Sequence, residues 1–298
     1  MDPLTAHAPV LQSGTVTLDV LHTGIFWGWF VTMNFWSKSI ATGVFLVGAF
    51  FMKKSASRDF YRLIVPVLAF VFTLVTLLFT VLDLHQPFRF WHMFVYPHFT
   101  SVINLGSFVL SAYVGLTFVM TVLAWKRQEG LYDRLIGPTW LVGFLATIYT
   151  AGLLGQSNAR ELWHTPTEVA QMILAATLAG SAVFLLAGRG RDGDSTAFAW
   201  VMVLSAMVTL TIYVTEIVFA PQKSEEAEYI VHVLLSGNLG ILFYTGLVLG
   251  FIVPGVLALV GLKSKASLLF PVAAVSSLVG LWMVKHAWLI APQLIPLS

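Results

Sequence analysis

The chain has 298 residues, of which 58% are hydrophobic and only 10% charged, with a formal net charge of +2 and a mean hydropathy of +0.85; that balance excludes a soluble globular domain. The sequence reads instead as an all-α integral membrane protein, a single membrane-embedded unit over 1–298, and its basic residues lie where membrane topology requires them, which leaves no face for nucleic acid. Cysteine is absent, so protein-borne disulfides, thiolate-held iron–sulfur clusters and cysteine nucleophiles are excluded.

The N-terminal MDPLTAHAPVLQSG has no basic stretch ahead of an apolar core, so it is not expected to be a cleaved signal and the first apolar span stays. In hydrocarbon every backbone amide needs an internal partner, so apolar runs of about 20 residues are read as helices. Eight are expected in chain order: about 24–52, 63–82, 102–124, 138–155, 167–187, 197–219, 231–261 and 268–290. Period-2 alternation is missing, which argues against a membrane β-barrel, and short links make successive helices antiparallel neighbours. Pro66, Pro138 and Pro271 are expected in first turns, where a missing N–H costs nothing; Pro254 is expected to kink the seventh helix.

Cytoplasmic loops retain Lys and Arg. The links after helices one, three, five and seven hold eleven of them (Lys53, Lys54, Arg58, Arg62, Lys126, Arg127, Arg134, Arg189, Arg191, Lys263 and Lys265), whereas the other side has only Arg89, Arg160 and Lys223. Both termini are therefore expected on the periplasmic side of the inner (cytoplasmic) membrane.

That alternation carries three distant segments to the outer side: Asp19 and His22 ahead of helix one; DLHQPFRFW at 83–91, with Asp83, His85 and Arg89; and helix four from Tyr149 to Gln156, continued by SNARELWHTP with Arg160, Glu161 and His164. Trp27, Trp29, Trp91 and Trp163 flank them. Taken singly, these are residue types that any membrane–water interface favours, and around Pro87 they also compose an ordinary helix cap in which Arg89 pairs with Asp83. Taken together they meet the demands of a quinone. Its apolar ring suits aromatic walls, its tail stays in lipid, and its two carbonyls need donors, such as His or Tyr beside a carboxylate, that lose and regain protons.

DLHQPFRFW followed by TSVINLGSFVLSAYVGL resembles the Asp-Leu-x-x-Pro-x-x-Phe-Trp and Thr-Ser-x-x-x-x-Gly-Ser-x-x-Leu pattern of the NrfD-like family, the membrane subunits of polysulfide reductase and its relatives. YTAGLLGQSNARELWHTPTEVAQMILAATLAGSAVFL is similar to that family's Tyr-Thr-Gly, Leu-Trp-x-Thr-Pro and small-residue helix, and GLVLGFIVPGVLAL and VGLWMVKHAWLIAP to its last two helices. The resemblance implies two four-helix bundles, no haem or iron–sulfur cluster on this chain, and an outer-side pocket for menaquinone or ubiquinone, matched here by His22 and Tyr149. Asp19 stands where the family has Asn, Gln86 where Arg is common, and Lys285 where the last helix often has Arg. The resemblance also implies a ferredoxin-like [4Fe–4S] subunit and a molybdopterin or other redox catalytic subunit as partners. Asp83 then joins the quinone site, and His85, Arg89, Arg160, Glu161 and His164 form a docking floor or cap helix ends.

Lys38 falls in the middle of helix one, where a charge costs about 2.5–3.5 kcal/mol on insertion scales. Asn34, Lys38 and Thr42 share one helical stripe, and Thr209, Tyr213 and Glu216 another on helix six. Facing each other or a water-filled interior, Lys38 and Glu216 form either a buried pair joining two helices or part of a proton path between cytoplasm and quinone. Lys285 is expected to snorkel. Two other functions fit an apolar helical protein. A haem b cytochrome needs facing histidines, but the eight here lie mostly in loops or at helix ends; a secondary transporter needs broken helices at matching places in two halves, and Pro254 has no counterpart in the first half.

Overall fold

A backbone without water to bond closes its hydrogen bonds within each segment, and no strand occurs among the described residues, which are 24–54, 58–157, 160–187, 194–264, 266 and 268–295 of a computed structural model. Asp19 and His22 lie outside them, as do Arg189, Arg191 and Lys265. The helices are α1 (Trp29–Gly48), α2 (Phe51–Lys54), α3 (Arg58–Asp83), α4 (His92–Val95), α5 (Val102–Trp125), α6 (Glu129–Gly155), α7 (Thr165–Ala187), α8 (Asp194–Lys223), α9 (Glu225–Leu235), α10 (Gly237–Leu247), α11 (Val253–Ser264) and α12 (Leu269–Ile290).

Among the described residues, seven runs are long and apolar enough to cross a membrane: α3, α5, α6, α7, α8, the α10–α11 run and α12 with its extension to Leu294. The first expected span, α1, is not among them. It carries Asn34, Ser37, Lys38, Ser39 and Thr42, all buried. It tolerates them because it packs on α3, α6, α7 and α12 and because its hydroxyls bond back to its own carbonyls: Ser37 to Met33 (2.7 Å), Ser39 to Phe35 (2.8 Å) and Thr42 to Lys38 (3.0 Å).

Two spans begin earlier than apolarity alone marks them. α3 starts at Arg58 and α6 at Glu129, so Pro66 and Pro138 lie inside helices rather than in first turns. The added turns are polar and bind one another. Arg62 reaches Asp133 at 3.2 Å, its guanidinium lies 4.5 Å from the Tyr132 ring, and the Tyr132 hydroxyl donates to the Arg62 carbonyl at 2.7 Å. The expected seventh helix is instead divided. α9 ends at Leu235, and beyond Ser236 Gly237 takes a φ of +56°, a left-handed conformation that glycine adopts at little cost.

The kink expected at Pro254 is a π turn, Val248–Ile252, in which the Val253 amide bonds the Val248 carbonyl. In that register the Leu249 carbonyl would look to residue 254, and proline has no N–H to give. Ser276 of α12 donates to it at 2.7 Å. α12 can come that close because Gly250 and Gly280 face each other; a Cβ on Gly250 would stand 2.9 Å from the Gly280 carbonyl carbon.

The same device joins α1 to α7. A Cβ on Gly43 would overlap the Ala176 carbonyl, and one on Gly180 would overlap the backbone of Gly43. Small residues let two backbones touch, and dispersion then holds them without help from a hydrophobic effect. Gly180→Val should therefore force the helices apart and destabilise the protein by about 1–3 kcal/mol; the check is thermal unfolding in detergent, with Gly115→Val, whose added Cβ meets nothing within 4 Å, as the neutral control.

Candidate functional site

The segment ahead of α1 is pinned to the end of α12. Gln293 accepts through Oε1 from the amides of Phe26 (3.0 Å) and Trp27 (2.9 Å) and donates through Nε2 to the Trp27 carbonyl (3.0 Å). Trp27 stacks on Trp163 of the α6–α7 loop with ring centroids 5.3 Å apart. From the same loop Arg160 donates to the carbonyls of Pro292 and, at 2.9 Å, Ile295. Burial lowers its guanidinium from the ordinary range and nearby Glu226 opposes the shift, so it remains a cation. Ser224 accepts from the Ala227 amide at 3.0 Å, capping α9, and donates to Glu161. A cleft of about 720 Å³ opens here, lined by Ser157, Arg160, Glu161, His164, Thr167 and Lys223 among others.

The loop at 84–101 lies over the end of α3 and the start of α5. Pro87–Arg89 is a 3₁₀ turn, and the Asn104 side chain donates to the Met93 carbonyl at 2.7 Å, anchoring α4. Phe88, Trp91, Tyr96 and Phe99 are exposed. Asp83 is half-buried at the last turn of α3, His85 and Arg89 are exposed, and no ion pair joins Arg89 to Asp83 among the described residues.

The interior arranges its charges differently from the expected pairing. Glu216 does not meet Lys38. Its carboxylate is held by Lys223 from its own helix and by the Thr167 hydroxyl at 3.1 Å, because the end of α8 lies beside the start of α7 and puts Thr167 and Lys223 nearer. Lys38 points toward α6, with Nζ 4.5 Å from the Tyr149 ring centre and 5.3 Å from that of Phe35. Tyr149 lies against α5 at Gly106, where any Cβ would strike its ring. Asn34 is bound to α3, donating to the Thr76 carbonyl (3.1 Å) and to Thr80 (2.6 Å). Tyr213 is fully buried, edge-on to Trp288 at 4.9 Å.

Lys285 does not snorkel. It is 3% exposed, with Nζ 3.4 Å from Gln171 Oε1 and 4.0 Å from Met172 Sδ, within electrostatic reach of Glu168. Glu168 is itself fully buried and accepts from the Trp288 indole at 2.8 Å. Glu168, Gln171 and Trp288 escaped sequence reasoning, although Glu168 with Gln171 and Lys285 with Trp288 each repeat at i, i+3 on otherwise apolar helices, a signal that was available. His286 has its ring stacked on Trp282 at 5.1 Å and its Nδ1 2.9 Å from the Thr32 hydroxyl. Among the described residues no group of three or more His, Asp or Glu is disposed to hold a metal ion.

The sequence profile of a family described as polysulphide reductase, NrfD, matches residues 20–296. The C subunit of polysulfide reductase from Wolinella succinogenes is similar at 27% identity over 206 residues, which cover 61% of this protein and 65% of that curated relative's length. Apolar helices and profile together make this a multi-pass membrane protein.

Arg160 is the tie between the α6–α7 loop and the C-terminal turn. Arg160→Ala should cost about 1.5–3 kcal/mol for each bond lost from the charged donor, and limited proteolysis should cut after Gln293 faster than in the unchanged protein.

Proposed function

The chain belongs to the polysulphide reductase, NrfD, family, and from that premise we propose that it is the quinone-reactive membrane subunit of a respiratory oxidoreductase complex. It exchanges electrons between the quinone pool, menaquinone or ubiquinone, and a ferredoxin-like [4Fe–4S] partner on the periplasmic side of the inner membrane. The chemistry at the other substrate belongs to a molybdopterin or other redox subunit. The observation that carries this reading is the profile match over nearly the whole sequence; the relative's designation as one lettered subunit of an enzyme supports a complex of several subunits.

On this reading α1 is an eighth span, surrounded by its neighbours instead of by lipid, the spans form two four-helix bundles, and both termini face outward. His22, Asp19, Asp83 and Tyr149 approach the quinone. A quinone gains two protons with its two electrons, so the donors at its carbonyls must be reloaded. Lys38 lies over the Tyr149 ring, and this supports a proton path that reaches Tyr149 through Lys38, with Asn34, Tyr213 and Glu216 as further members. The exposed aromatic loop with His85 and Arg89, and the cleft with Arg160, Glu161 and His164, are the surfaces offered to the iron–sulfur partner.

Quinol-dependent reduction of a dye by the purified complex tests the pocket. His22→Ala and Tyr149→Phe should each lower turnover by about a hundredfold, Asp83→Asn should lower it too, and unchanged turnover in all three with normal assembly would overturn the site. In liposomes, Lys38→Met should reduce the protons taken up per electron; a ratio equal to that of the unchanged complex removes Lys38 from the path.

A further inference from the structure

Among the described residues, the buried side-chain atoms that make no hydrogen bond to protein include Lys38 Nζ on α1, Glu168 Oε2 and Gln171 Nε2 on α7, and Tyr213 Oη on α8. Their residues are between 0% and 2% exposed. The arrangement is not random. Glu168 is anchored through Oε1 by the Trp288 indole and Gln171 through Oε1 by Lys285, so each side chain has one fixed end and one unpaired end.

A buried polar atom without a partner costs about 1–3 kcal/mol, and native proteins meet that cost with ordered water wherever two to four polar groups converge. Glu168 and Gln171 stand one turn apart on α7, and Tyr213 is within electrostatic reach of Glu168, so a water beside Glu168 Oε2 would find more than one polar partner. Glu168 also stands between two environments. Toward the cleft, it follows Thr167 in the sequence, the hydroxyl that binds Glu216, and Glu216 lies within its electrostatic reach; Thr167 and Lys223 line the cleft itself. Toward the interior, Lys285 is within electrostatic reach of both Glu168 and Lys38, and Lys38 lies over the Tyr149 ring. The titratable groups facing it are Lys285 from α12 and Tyr213 and Glu216 from α8, with Lys38 beyond Lys285.

We propose that Glu168 is a hydrated proton-exchange site inside the membrane domain, loaded from the aqueous cleft past Glu216 and unloading toward Lys38. An O–H bond forms at Glu168 Oε2 as one breaks in a hydronium ion on the cleft side. It breaks again as an N–H bond forms on the Lys38 side chain in its amine form, and no electrons change owner. Trp288, Gln171 and Lys285 are positioning residues that hold the carboxylate with one oxygen turned to the water. The inference rests on the proton path proposed above for onward transfer to Lys38, and sets the aqueous end of that path at the cleft on the outer side.

A plain structural pair clamping α7 to α12 predicts a carboxylate that never exchanges with water. The test is modification of the full-length protein in sealed vesicles by dicyclohexylcarbodiimide, an apolar reagent that attacks protonated carboxyl groups from the lipid, with adducts mapped by mass spectrometry. Glu168 should be modified in the unchanged protein and its adduct absent from Glu168→Gln. The rate should fall as the medium on the cleft side is made basic and ignore the pH of the other side. Lys285→Met should raise the rate by about tenfold, equivalent to ~1.4 kcal/mol of lost attraction for the ionised form. An unmodified Glu168 at every pH at which the protein stays folded, or a rate indifferent to pH on both sides, overturns the proposal. Modification that follows the pH of the cleft side in complexes with no quinone turnover upholds Glu168 and sinks the quinone reading instead.

Discussion

Helices α1 and α7 touch through Gly43 and Gly180 with no side chain between them, and this approach sets the depth of everything polar in the interior. Lys38 rides on one of these helices, Glu168, Gln171 and Met172 on the other. Lys285 enters from α12, which packs on both. Widening the helix pair by the thickness of a methyl group would shift Lys38 against its aromatic neighbours and loosen the packing of α12 on both helices. A close-packed interior does not absorb such a shift gradually.

Holding two lysines and a glutamate in that interior works against stability. Desolvating a buried ion is costly, and attraction between partners rarely repays the whole. The structure compensates with neutral groups: an indole for one oxygen of Glu168, an amide and a thioether for Lys285, and the faces of Phe35 and Tyr149 for Lys38. Each is weaker than a full ion pair. Apolar residues of similar volume would pack the same helices at lower cost.

The backbone follows a related rule. Pro254 deprives the π turn of a donor and Ser276 replaces it from α12; in lipid, where no water can do so, the replacement has to come from a neighbouring helix. Helix ends behave alike. Gln293 and Arg160 satisfy amides and carbonyls that the terminal segments leave open, and they tie the segment before α1, the α6–α7 loop and the C-terminal turn into one face.

Much of this was legible in the amino-acid sequence itself. Apolar runs fixed the solvent, the helical class and most spans, because the requirement for internally bonded backbone acts locally and leaves its mark in composition. The polar turns at Arg58–Tyr61 and Glu129–Tyr132 hid the true starts of α3 and α6, since hydropathy reports contact with lipid and not helix length. The paired DLHQPFRFW and LWHTP blocks disclosed the family. What no stripe or spacing disclosed is which polar groups meet. Helical periodicity puts Lys38 and Glu216 each on a polar stripe, yet Lys38 lies over Tyr149, while Glu216 is taken by Lys223 and Thr167 and Lys285 turns inward to Gln171. Periodicity gives the face of one helix only; the partner across the gap depends on the relative rotation and depth of two helices, and those are set by backbone contacts such as Gly43 against Gly180 that exist only once the protein has folded.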